Sequence, residues 1–188
     1  MTIKQMVFGD ASAPFNPGLT PMRRLAGPVS IVIDQSFADE FPESVKVLRK
    51  KAQDLQDVIG FGVTVGTVAI PGTAVFPLRI DPAGTSGSVS FDIVGSVIVG
   101  GRLFFSNPQL WDEIVGHELG HIFGLFHQNQ TDGLMNNGHF PWYSPAEVED
   151  MKMMLQFAPG ITWPHNDRSA ASPASLGRHT VVIKCSIR

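Results

Sequence analysis

The sequence predicts an α/β domain of the α+β kind: a mixed, twisted sheet packed against a backing helix, a central helix and a C-terminal helix. Three observations lead there. Short β-branched or alternating runs, separated by glycines, recur between residues 29 and 105. Apolar Val45, Leu48, Ala52, Leu55 and Ile59 return at three- and four-residue steps, the period of a helix with one buried face. Two later segments, opening at Ser106 and at Ser144, each place Pro within the first turn and Gln or Glu three residues after the serine.

Residues 1–28, rich in Pro, Gly and Ala without a sustained period, read as an extended N-terminal arm. The folded domain is expected to span 29–188. Val29–Asp34 is strand-like, Pro42 opens a helix to about Val58, and Gly60 closes it. Phe61–Ile70, Val75–Ile80, Ser88–Ile93 and Ser96–Val99 read as strands, with Leu103–Phe105 as another. Gly84, Gly87, Gly95, Gly100 and Gly101 punctuate them as turns or bulges. A helix is expected from Pro108 to Phe123, capped by Ser106 or Asn107, and a second from Ser144 to about Phe157. The tail ends in a β-like run at 180–185.

Composition narrows the function. The 188 residues suit one domain with a real core. Fourteen Lys and Arg against 17 Asp and Glu give a net charge of −3, which argues against a nucleic-acid partner. Arg23-Arg24 and Arg49-Lys50-Lys51 are expected to be solvated surface. No apolar run is long enough to span a membrane, and the first ten residues lack the apolar stretch of a secretory signal. With a single cysteine, Cys185, an intrachain disulfide and a Cys-rich metal site are both excluded.

The chemistry concentrates in His117-Glu118-Leu119-Gly120-His121-Ile122-Phe123-Gly124-Leu125-Phe126-His127. Histidines four apart on a helix share one face and can hold one metal ion. Zinc takes imidazole nitrogen readily and keeps an open position when only three protein groups bind it. Glu118, beside the first histidine, can take a proton from water at that position. A third ligand requires the chain to turn back. Gly124 can adopt the left-handed conformation that returns His127 to the ion.

This pattern resembles the signature of the metzincin clan of zinc endopeptidases, His-Glu-x-x-His-x-x-Gly-x-x-His followed by a Met-turn. Leu134-Met135-Asn136 is similar to that turn, with Met135 eight residues past His127. The likeness of element order covers residues 29–160, and the motif itself covers 117–135. It implies one catalytic Zn2+ held by His117, His121 and His127, with Met135 as an apolar floor and Glu118 as general base. The implied reaction is peptide-bond hydrolysis by a metal-activated water, performed by a monomer on a polypeptide substrate. The substrate is implied to pair with an edge strand in the Gly95–Phe105 region. An upper part, 29–127, and a lower part, 128–188, would flank the cleft, and an exported location follows from the same likeness.

The subfamily is open. Gln128 and Asn137 depart from the patterns of particular metzincin families, whereas Pro141-Trp142-Tyr143 is similar to the pocket wall of matrix metalloproteinases, displaced along the chain. That likeness implies Pro141 and Tyr143 as substrate-pocket residues. Phe8-Gly9-Asp10 is similar to the aspartate switch of astacin prosegments, one residue short, which implies that the arm is a prosegment remnant with Asp10 as a latency switch. His139, His165 and His179 read as surface residues, and Cys185 as a small buried hydrophobe on the final strand. Residues 81–92 contain no His, so a second zinc is not expected, and structural Ca2+ has no support. Two other classes keep the same site chemistry: a zinc-binding protein that is non-catalytic or latent, and a zinc amide hydrolase acting on a non-protein substrate.

Overall fold

The computed structural model describes residues 24–95, 97–127, 133–136, 142–156 and 178–185. Eleven elements follow in chain order among them: β1 (Arg24–Leu25), β2 (Val29–Val32), α1 (Gln35–Glu40), α2 (Pro42–Ile59), β3 (Val63–Gly66), β4 (Ala74–Ile80), β5 (Gly87–Val94), β6 (Val97–Phe105), α3 (Asp112–Ile122), α4 (Pro145–Met154) and β7 (Arg178–Cys185). The strands form one mixed sheet in the order β3-β2-β4-β6-β5-β7, and β1 pairs with the start of β6. Contacts among β3, β2, β4 and β6 are parallel, whereas β5 runs antiparallel to both β6 and β7. The fold is thus mixed α/β, consistent with α+β.

The backing helix forms as its period demands. Val45, Leu48, Ala52, Leu55 and Ile59 are all buried, against β3 and α3. Fully covering Leu48 or Leu55 contributes about 1.5–3 kcal/mol each relative to leaving it in water. Gly60, in the left-handed conformation at φ 69°, ends the helix.

Several boundaries differ from expectation, each for a physical reason. The central helix begins at Asp112 rather than Pro108. Asn107 Oδ1 accepts from the Gln109 amide at 2.8 Å, and Ser44 Oγ donates to the Pro108 carbonyl at 2.7 Å and accepts from the Leu110 amide at 3.0 Å. These bonds hold 107–110 as a turn pinned to α2, and the chain is still extended at Trp111. The strands expected at 96–99 and 103–105 are one strand, β6, because Gly100 and Gly101 lie inside it. A Cβ on Gly101 would collide with the Ser90 carbonyl and with Phe76. β3 stops at Gly66, after which Val68 and Ile70 lie exposed. α1, only six residues long, escaped the periodicity. Arg24–Leu25, within the expected arm, pairs with β6.

Lys51 is not solvated surface. It is buried, 3.2 Å from Asp112 Oδ2 and 5.0 Å from the centre of the Trp142 ring, so it ties α2 to α3 and to the segment before α4. α4 starts as read: Ser144 Oγ accepts from the Glu147 amide, Glu147 accepts from the Ser144 amide, and Pro145 fills the first position.

Candidate metal centre

α3 carries the signature through the middle of the molecule, packed on β5 and α2, and every residue from Ile114 to Ile122 is buried. His117 and His121, one turn apart, therefore meet on one face, their ring centroids 4.8 Å apart. Beyond Phe123, Gly124 takes a φ of +90°, where a side chain would be strained. Its amide donates to the His121 carbonyl at 2.8 Å, and the Leu125 amide donates to Gly120 at 3.0 Å. The chain so reversed brings His127 within 4.7 Å of the His121 ring and 5.2 Å of the His117 ring.

The hydrogen bonds decide which nitrogen each ring presents. His117 Nδ1 donates to the Leu134 carbonyl at 2.8 Å, and His121 Nδ1 donates to the Leu125 carbonyl at 2.7 Å. With Nδ1 protonated, each neutral ring turns a lone pair inward at Nε2. The two Nε2 atoms stand 3.2 Å apart. Burial holds all three rings in the neutral form: His117 is lowered to about 4, His127 to about 3, and His121 well below the usual value. Facing lone pairs repel unless something positive lies between them.

A metal ion fits that requirement. Two imidazole nitrogens bound at about 2.0–2.1 Å to a tetrahedral ion stand about 3.3–3.4 Å apart. The 3.2 Å observed is close to that edge. Among the described residues, His117, His121, His127 and Cys185 form a group whose donor atoms lie within 4.8 Å of one another. Cys185 Sγ is 3.2 Å from His121 Nε2. Its burial agrees with the reading of a small core residue, but its thiol faces the histidines and Glu118 rather than apolar side chains alone.

Glu118 is fully buried, and neither carboxylate oxygen makes a hydrogen bond of ordinary geometry. Burial pushes it up to about 8, opposed by the Cys185 thiol. Cys185 is in turn raised well above the usual thiol value by burial and by that carboxylate. Glu118 lies against Gly87 of β5, where a Cβ would collide with the carboxylate. A buried acid without an ordinary hydrogen bond, beside a cluster of metal-binding side chains, is a recurrent mark of function.

Met135 lies beneath α3. A Cβ on Gly120 would come 2.5 Å from the Met135 sulfur and 3.0 Å from the Tyr143 ring. Tyr143 is itself buried under the helix and donates its hydroxyl to the Gly116 carbonyl. Sequence reasoning saw Glu147 only as a cap, and it does more. Its Oε1 accepts from the Met135 amide at 2.9 Å, and its Oε2 accepts from Leu134 at 3.1 Å and from Ser144 at 2.7 Å. The carboxylate thereby fixes the turn whose Leu134 carbonyl orients His117.

Asp10, Gln128, Asn137, His139, Pro141 and His165 lie outside the described residues, as does the side chain of His179. The region expected to offer a substrate edge is corrected: β6 is paired on both sides, with β4 and β5, so it is interior. No protein-family model matches the chain, and neither does any curated protein sequence. The described residues define a mixed α/β protein with a buried His/His/His/Cys group that can hold a metal ion.

Proposed function

We propose that the chain is a zinc-dependent endopeptidase of the metzincin type. The observation that carries this reading is the convergence of three neutral imidazoles on one point beside a buried carboxylate without ordinary partners. His117, His121 and His127 would hold the ion, and Met135, packed against Gly120, would form the apolar floor. When bound, zinc supplies a Lewis acid for the scissile carbonyl and acidifies a coordinated water. Glu118 takes the proton as the water oxygen bonds to the carbonyl carbon, and delivers it to the amine as the C–N bond breaks. Burial favours the protonated form of Glu118, the state it reaches on taking that proton. Gly87 leaves the space in which that carboxylate sits.

A second reading has one observation in its favour. Cys185 completes a set of four donors, the number found in closed structural zinc sites. The test is mass-spectrometric mapping of cut sites in a denatured protein mixture. It compares the zinc-loaded chain with its Glu118→Gln variant, each with and without Cys185→Ser. The proposal expects cuts that a chelator abolishes and that Glu118→Gln lowers by about 100- to 10,000-fold. Retained zinc with no cuts in any Glu118-containing protein would favour the closed structural site.

A further inference from the structure

We propose that Cys185 is a removable fourth ligand of the metal ion, delivered by β7, which covers the edge of β5 and holds the centre shut. The ligand assignment stands on geometry alone; its meaning as latency rests on the endopeptidase reading above.

Three independent observations meet at this residue. Its sulfur lies 3.2 Å from His121 Nε2 and within one group of donor atoms with His117 and His127. The Glu118 carboxylate, wholly buried and without an ordinary hydrogen bond, lies beside the same thiol. The placement also follows from a continuous ladder: β7 pairs antiparallel with β5 from Val94↔Arg178 to Gly87↔Cys185. That register sets Cys185 opposite Gly87, against which the Glu118 carboxylate rests.

In this arrangement no polypeptide reaches the centre. His117, Glu118, His121 and His127 are each no more than 1% exposed. An extended polypeptide laid along β5 would make the same antiparallel main-chain bonds that β7 makes now. β7 therefore occupies β5 as a substrate strand would, with a soft thiolate donor where a scissile bond would lie. Binding releases the thiol proton to solvent; release of the ligand takes one back, so no oxidant or reductant is involved.

The attachment is uneven along the strand. Ile183 is buried next to the cysteine, whereas the other end is held at the surface by Arg178 and Thr180, 3.2 and 3.1 Å from the Asp92 carboxylate. Exposed ion pairs of this kind contribute little. The strand is thus positioned to peel from Arg178 towards Cys185.

Zinc K-edge absorption of the zinc-loaded wild-type chain tests the ligand directly and needs no variant. A sulfur shell at about 2.3 Å beside nitrogen at about 2.0–2.1 Å is expected; a spectrum without sulfur overturns the proposal. In zinc-loaded Cys185→Ser the sulfur shell should vanish while zinc stays. Cleavage of denatured protein should rise by about tenfold or more, as expected on freeing a site closed in nine molecules of ten. Equal, measurable cleavage by wild type and variant overturns the latency. A sulfur shell in wild type with no cleavage by either protein upholds the fourth ligand and instead defeats the endopeptidase reading. If the variant does not fold, the wild-type spectrum alone decides the assignment.

Discussion

Glu147 links the start of α4 to the metal centre through a short chain of bonds, from its carboxylate to the Leu134 amide and from the Leu134 carbonyl to His117. Replacing it with Gln turns one of its two accepting oxygens into an NH2 donor, so at least one of these three buried or half-buried amides loses its acceptor. Groups that orient metal-binding histidines in this way are worth about 10- to 100-fold in affinity. Glu147→Gln should weaken zinc binding by that order in a competition titration, with Glu118 untouched; unchanged affinity would show that the turn holds itself. Gly87 offers the complementary test. Ala at this position pushes against Glu118, so zinc should remain bound while cleavage by the Cys185→Ser protein falls by about 100-fold, the cost of misplacing a reacting group by about 1 Å. Asp150 provides a pH signature away from the centre. Burial, and then the charge of Glu147, raise it from 3.8 to about 6, and its Oδ2 has no hydrogen bond. The folded chain thus favours the protonated acid, a contribution present below about pH 4 and lost as pH climbs through about 6. Asp150→Asn, which cannot ionise, should gain melting temperature over wild type between about pH 4 and about pH 7; a gap independent of pH would contradict the assignment.

At the scale of elements, Ser44 shows how a helix start can be set from a distance. Its hydroxyl bonds both Pro108 and Leu110, more than 60 residues away along the chain, and keeps α3 from beginning earlier. Removing it with Ser44→Ala should cost about 1–3 kcal/mol in denaturant unfolding, the penalty for stranding a buried amide. A change near zero would mean that water replaces the hydroxyl. The same bonds explain why the sequence reading placed the helix start too early: Ser106, Pro108 and Gln109 form a good local capping pattern, and a long-range partner overrides it. Where the local signal and the packing agree, the reading and the structure coincide, as in the buried stripe of α2 and the Ser144–Glu147 cap. β7 shows the opposite limit. Its residues announce a strand, but nothing local specifies which edge it joins, so the arrival of Cys185 at His121, 64 residues away, is not legible in the sequence.

For the whole molecule, element order and the spacing of the histidine motif sufficed to expect a mixed sheet with a metal-binding helix across it. Composition carried none of the information about closure, because that depends on an eight-residue ladder between β5 and β7 and on a carboxylate with no ordinary partner. One buried centre gathers three neutral histidines, and the last described strand brings a fourth donor to it. The proposed chemistry and its closure both require that centre to hold one ion. The most direct measurement is zinc binding followed by native mass spectrometry, comparing wild type with His121→Ala. A single zinc per chain is expected in wild type, lost or greatly weakened in the variant. A wild-type chain that takes up no zinc, or a variant that binds it equally well, would contradict the proposed metal centre.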